Sequence, residues 1–533
     1  MMDVPLTTQS MFQHGLDLFG KKEIVSRTPT GDVIRHSFGQ AGERIHRLAS
    51  ALRKLGVRQG DRVATFAWNH HRHLEAYFAV PNMGAVIHTV NIRLFPDQLA
   101  YIINHAEDRV LLIDADLLPL IEAVASRLTS VKHFVVLSHQ VPESRLPNLL
   151  AYEQLLADAK PEFSWPELNE NLPAATCYTS ATTGNPKGVV YTHRSTYLHA
   201  MAAGLADVLA LSERDVILPF VPMFHVNAWG LPYAGFWFGS KIVFPGQRPD
   251  AKAVLDLMQS ERVTVAAGVP TIWIAALPLL ETGQYKLDSM RAIVCGGSAI
   301  PPALMKKYDQ LGLPFLHAYG MTETSPLASV SRLSSWMEDW PEERKFATRT
   351  KQGRPSPGVE LRVVDDEGRD VPRDGKTFGQ LLMRGPWVAS EYYHDEGSAE
   401  TFKDGWLHSG DIVTWDEDGY INIVDRAKDV IKSGGEWIST VDLENAIMAI
   451  DGVAEAAVIG VTHPRWQERP LACVVCKPNV TLTKEQIIAP LRDQFAKWWI
   501  PDDVVFVDEI PKTSVGKFQK RDLRERFKDY QLA

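Results

Sequence analysis

Short apolar runs at residues 62–66, 110–113, 131–137 and 291–294 alternate along the chain with stretches of helical period such as 38–55. Each run is bounded by glycine, aspartate or proline, and the intervening helices are long enough to cross over between parallel strands. The pattern predicts an α/β fold: a large N-terminal domain of layered α/β subdomains. The uncharged stretch 263–280 reaches the length at which a membrane helix must be considered. Gly268, Pro270 and Pro278 interrupt it, so it reads as a buried strand, a turn and a helix. Beyond about Gly353 the texture changes. Turn-rich segments at 365–369 and 416–420 predict hairpins and a small β-rich subdomain. A polar stretch at 425–429 precedes a capped helix over 439–450, where Ser439 and Asp442 match a capping box. The expected organisation is therefore a large domain over 1–425, a hinge at 426–428 and a small mobile α+β domain over 429–533.

Composition narrows the function classes. The 533 residues are 45% hydrophobic and 23% charged, near globular averages, and exceed what one hydrophobic core organises. A net charge of −9 lacks the basic footprint of a nucleic-acid protein, so no nucleic-acid partner is expected. Segment 1–15 has no basic stretch followed by an apolar core, so no secretory signal is read. Of the four cysteines only Cys473 and Cys476 have metal-like spacing, and on a strand that spacing points them to opposite faces. No disulfide or structural metal is implied, which fits a cytoplasmic protein. The histidines of 69–73 read as a solvated helix start.

The densest chemical signal is Thr179-Ser-Ala-Thr-Thr-Gly-Asn-Pro-Lys-Gly188, which follows the apolar run 174–178. Small residues expose backbone N–H groups and Lys187 adds a positive charge, the combination a polyphosphate requires. A polar surface turn is the alternative. The loop is not a Walker motif. Gly375-Lys376-Thr377 lacks the leading glycine, where Asp370 stands, and Gly516-Lys517 is followed by Phe518 instead of Ser or Thr.

Three further segments follow in order: Tyr319-Gly-Met-Thr-Glu323, Ser409-Gly-Asp411 with Arg426, and Pro511-Lys-Thr-Ser-Val-Gly-Lys517. Over residues 35–525 the chain resembles the adenylate-forming superfamily of acyl-CoA synthetases, peptide-synthetase adenylation domains and luciferases. The resemblance implies ATP and Mg2+ as cofactors and coenzyme A as co-substrate. It places ATP or its adenylate against Thr179, Ser180, Thr182, Thr183, Gly184 and Lys187, with Ala181 standing where the family usually has glycine. Thr179 and Glu323 match magnesium ligands, hard oxygen donors suited to that ion. Thr322 matches an α-phosphate contact, Asp411 and Arg426 the ribose contacts, and Gly297, His317, Ala318 and Tyr319 the adenine enclosure. Lys432 and Trp437 also fall within matched nucleotide segments.

Lys517 resembles the cation that joins carboxylate to α-phosphate in the first step. Lys428 matches a hinge about which the small domain turns for the second. Gly434, Gly435 and Glu436 match the coenzyme A passage, where glycines let the chain pass close to the pantetheine arm. In Pro222-Met-Phe-His-Val-Asn-Ala-Trp229, His225 matches a position beside the acyl carbonyl, and Val226 and Trp229 line the acyl side. Trp229 and the segment 434–439 make the chain look most like the fatty-acyl-CoA synthetase branch, which also contains methylmercaptopropionate-CoA ligases. The expected substrate is a medium- or long-chain fatty acid, with methylmercaptopropionate as the alternative acid and a non-CoA acceptor as the alternative second step. A homodimer through the large domains is the oligomer the resemblance suggests.

Overall fold

A computed structural model describes residues 1–179, 185–433, 436–512 and 518–532. Among them the strands form four sheets. A seven-stranded sheet runs Leu150–Ala151, His133–Val136, Asp108–Ile113, Arg62–Phe66, Val86–Thr89, Pro173–Tyr178, Gly188–Thr192, parallel except for the last pair. A nine-stranded sheet has a parallel centre, in which Glu23–Arg27, Lys241–Phe244, Val216–Pro219, Val265–Gly268, Ala292–Cys295 and Phe315–Gly320 lie side by side. The runs expected at 62–66 and 110–113 are strands, and 263–280 divides into the strand Val265–Gly268 and the helix Pro270–Glu281.

Helices between the two large sheets tie their inner faces into one core. The helix Phe38–Lys54 shows why it forms there. Ser37 accepts the Gln40 N–H while the Gln40 side chain accepts the Ser37 N–H, and Phe38, Ala41, Ile45, Leu48 and Leu52 recur on one buried face. Phe38 and Phe12 stack on Phe236 at 4.2 and 5.7 Å between ring centroids. Gly15 is required beside them, because a β-carbon there would come within 2.6 Å of Phe236.

The histidines of 69–73 begin a helix, His71–Asn82, but they are not solvated. His70 pairs with Asp114 at 3.0 Å and its Nδ1 accepts the His73 N–H; His73 in turn meets Thr65 Oγ1 at 2.8 Å. The His70 and His73 rings are buried with fixed polar partners, a compensation that no local pattern reveals, while His71 is buried with its Nδ1 unpaired.

The β-rich subdomain is an antiparallel sheet of Glu360–Val364, Gly379–Arg384, Trp406–Trp415, Phe402–Lys403 and Ile421–Arg426. The turns at 365–369 and 416–420 close hairpins within it. A fourth sheet holds the C-terminal part: Glu436–Ile438, Ile431–Ser433, Gln467–Cys476, Val453–His463 and Asp503–Phe506. It packs on the helix Thr440–Met448, whose N-cap Ser439 accepts the Asp442 N–H, the forward half of the expected box. In Gln467–Cys476, Cys473 is buried and its thiol pushed up to about 12 by desolvation, while Cys476 is half-buried. Across the seam at 426–431, Ser439 Oγ donates to Val424 O at 2.7 Å and Thr440 N to Asp425 at 2.9 Å. No helix among the described residues is long and apolar enough to cross a membrane.

Candidate active site

The predicted chemical residues collect where strands end. Thr179 follows Pro173–Tyr178, Gly296 and Gly297 follow Ala292–Cys295, Thr322 and Glu323 follow Phe315–Gly320, and His225 follows Val216–Pro219. Ligand sites in α/β sheets form in the crevice beyond such carboxyl ends, where loops are released from sheet packing. Here they wall a cavity of about 370 Å³ that also meets the seam, touching Arg426, Lys428, Phe518, Lys520 and Arg524.

Charged side chains of both signs gather in the cavity wall. Lys187 Nζ lies 3.1 Å from Asp395 and 4.6 Å above the Tyr392 ring, and Tyr392 OH donates to Glu323 Oε1 at 2.5 Å. The Thr179 hydroxyl accepts the Lys187 N–H at 3.1 Å, which ties the two ends of the hydroxyl-rich loop together. Tyr191 OH donates to Thr322 O at 2.7 Å and fixes the turn that carries Glu323. Arg426, Lys428, Lys520 and Arg524 bring positive charge from the seam and the small domain. Burial lowers the Lys428 ammonium below the usual lysine range.

Asp411 and Arg426 face each other across the hairpin of Trp406–Trp415 and Ile421–Arg426, with Arg426 Nε 2.9 Å from Asp411 Oδ1. Tyr319 OH donates to the other carboxylate oxygen. Asp411 is 2% exposed, one layer behind the cavity wall that Tyr319 and Arg426 form.

Gly297 and Ala318 line the cavity beside Tyr319. At the neighbouring Gly296 a β-carbon would stand 2.3 Å from Ala318 O, so the adjoining strand ends meet only over glycine. His317 does not join them. Its Nδ1–H donates to Thr350 O at 3.0 Å, and burial pushes the ring down to about 4. Lys432 is exposed, its Nζ 5.1 Å from the Trp437 ring centroid, and Trp437 packs near Phe378 at the seam; neither lines the cavity.

The segment 226–230 holds a feature that no sequence signal announced. Val226, Asn227, Ala228 and Trp229 all have positive φ, 46°, 51°, 47° and 57°, and Gly230 continues at 70°. Left-handed backbone costs about 1–2 kcal/mol at each non-glycine residue. Two buried anchors offset part of this: Val226 N donates to Cys177 Sγ at 3.2 Å, and Thr89 Oγ1 to Asn227 Oδ1 at 3.1 Å. The turn presents His225, Val226 and Trp229 to the cavity.

Ser180, Thr182, Thr183, Gly184, Gly434, Gly435 and Lys517 lie outside the described residues, as does the side chain of Glu436. Sequence reasoning missed Tyr392, Asp395, Tyr191 and His199. Tyr392 and Asp395 stand in no motif and arrive through a single backbone bridge, Gly188 to Tyr393. Among the described residues no three His, Cys, Asp or Glu side chains converge as a metal cage. Thr179 and Glu323 both line the cavity and offer oxygen donors of the kind a hard cation takes.

Comparison with known proteins agrees along the whole chain. The family model described as AMP-binding enzyme matches residues 12–393, and that of the AMP-binding enzyme C-terminal domain matches 442–517. A long-chain-fatty-acid–CoA ligase of Thermus thermophilus is 49% identical over 532 residues, covering 99% of this chain and 97% of that protein. A 3-methylmercaptopropionyl-CoA ligase of Ruegeria lacuscaerulensis is 45% identical, covering 99% and 98%. Among solved structures, an anthranilate CoA ligase in complex with anthranoyl-AMP superposes with a TM-score of 0.88 at 29% identity, covering 98% of each chain.

Proposed function

Because the chain belongs to the AMP-binding enzyme family, whose close relatives here are acid–thiol ligases, we propose that it joins an aliphatic carboxylic acid to coenzyme A through an acyl-adenylate. In the first step a carboxylate oxygen bonds to the α-phosphorus of ATP and pyrophosphate leaves. In the second the coenzyme A thiolate bonds to the acyl carbon and AMP leaves. The candidate acids are medium- or long-chain fatty acids and the thioether acid methylmercaptopropionate, named from relatives 44–49% identical. Coenzyme A is favoured over other acceptors because these relatives are all CoA ligases.

The observation that carries this reading is one cavity with two unlike sets of lining residues. The charged Lys187, Glu323, Arg426 and Lys428 and the apolar Trp229, Val226 and Leu327 all line it. Bringing two anions together needs cations in a site shielded from water. Thr179 and Glu323 would hold Mg2+, which spreads the negative charge of the phosphates. Lys517 is assigned the cation between acid and α-phosphate: Phe518 and Gln519, which follow it, line the cavity. Lys428 is assigned the hinge. Asp411, held by Arg426 and Tyr319, is assigned the ribose hydroxyls.

Acid, ATP and magnesium should release pyrophosphate, and added coenzyme A should yield thioester and AMP. If ATP binds but no acid from propionate to palmitate provokes pyrophosphate release, the reading fails. Adenylate that accumulates without thioester would instead assign another acceptor.

A further inference from the structure

His199 lies on the buried face of the helix His193–Gly204 and lines the cavity. Burial pushes its imidazole down to about 3, so the ring is neutral at any working pH. A neutral imidazole has one donor and one acceptor nitrogen, and here the backbone decides which is which. Leu327 N–H donates to His199 Nε2 at 3.3 Å, which leaves the proton on Nδ1. Leu327 is itself fixed, since Trp387 Nε1 donates to its carbonyl at 2.7 Å.

The Nδ1–H has no acceptor among the described residues. Its edge of the ring packs over Gly230, where a β-carbon would stand 2.6 Å from Nδ1. Ala203, Leu209, Val226 and Trp229, which line the same cavity, have side chains without an oxygen acceptor. An acceptor on the occupant of this pocket would therefore give the Nδ1–H its hydrogen bond.

Resting on the acid-activating reading above, we infer that His199 is a specificity-determining residue whose Nδ1–H hydrogen-bonds an acceptor atom in the tail of the acid, favouring acids that carry an oxo, ether or thioether function over their all-carbon isosteres. The oxygen functions should gain most, because a thioether sulfur is a weak acceptor.

The test measures kcat/KM for three matched pairs: 4-oxopentanoate against 4-methylpentanoate, 4-methoxybutanoate against hexanoate, and 3-(methylthio)propanoate against pentanoate. In the native enzyme at least one acceptor-bearing acid should exceed its isostere by about tenfold. His199→Leu should bring that ratio to about one. His199→Gln, which can accept from Leu327 N–H through its oxygen and donate through its nitrogen, should keep most of it. Ratios near one in the native enzyme for every pair, or a ratio unchanged in His199→Leu, would overturn the inference while leaving acid activation intact. If His199→Leu does not fold, the native ratios and the Gln variant decide: a preference lost in a folded His199→Gln also overturns the assignment. Absence of pyrophosphate release with every acid would overturn the underlying reading as well.

Discussion

Tyr392→Phe removes a single hydroxyl from the site and leaves its ring in place. The ring beneath Lys187 Nζ remains, as does the 3.1 Å pair of Lys187 with Asp395, while the bond to Glu323 is lost. Burial, followed by the nearby Glu323 charge, raises the phenol above its ordinary pKa, so it stays a donor throughout the working pH range. Glu323 is 5% exposed and cannot simply replace the lost donor with bulk water. A hydrogen bond to a charged group contributes about 1.5–3 kcal/mol, and each 1.36 kcal/mol is tenfold in rate. If the carboxylate has to be oriented to hold magnesium, the loss should therefore be roughly 10- to 100-fold in kcat/KM for pyrophosphate release, the range found when outer partners of metal ligands are removed. The assay is initial rate against Mg2+ at fixed ATP and acid, with thermal melting alongside. Half-saturation should move to higher Mg2+. A lowered rate with an unmoved Mg2+ dependence, or no change in either, would refute the assignment of Glu323.

Lys517→Ala should suppress adenylate formation much more than conversion of pre-made acyl-adenylate to thioester; equal losses in the two assays would remove Lys517 from the first step. Burial raises the Glu444 carboxyl from its ordinary 4.5 to about 7 although Lys520 lies 2.7 Å away. The folded state thus holds this proton more tightly, and the associated stability is full below pH 4.5 and lost as pH rises through about 7. Glu444→Gln should flatten this part of the pH dependence in denaturant melts; an identical slope in both proteins would show that Glu444 does not titrate there. Ala228→Gly should relieve left-handed strain and stabilise the fold by about 1 kcal/mol while lowering kcat/KM, because Trp229 is held less firmly; a destabilised variant would show that the turn is not strained.

Two kinds of information divide this molecule. Elements were legible because their signals are local: parallel strands buried on both faces read as unbroken apolar runs, and a cap such as Ser37 with Gln40 spans only three residues. The chemical loops were legible for a related reason, since residues released beyond strand ends are free to be chosen for chemistry instead of packing. Partnerships were not legible. Glu23–Arg27 pairs with Lys241–Phe244, Glu323 meets Tyr392 and His199 meets Leu327 across long stretches of chain whose periodicity carries no record of the contact. The same gap explains the misjudged histidines of 69–73, of which His70 and His73 are held by Asp114 and Thr65. It also explains the turn at 226–230, since its strain is balanced from outside the segment, by Cys177 and Thr89. A motif can therefore identify which groups do chemistry, but what orients them is set by pairings that exist only once the sheets have formed. Substrate preference belongs to this second kind: a donor on His199 becomes a recognition element only because Leu327, 128 positions further along, has already claimed the other nitrogen.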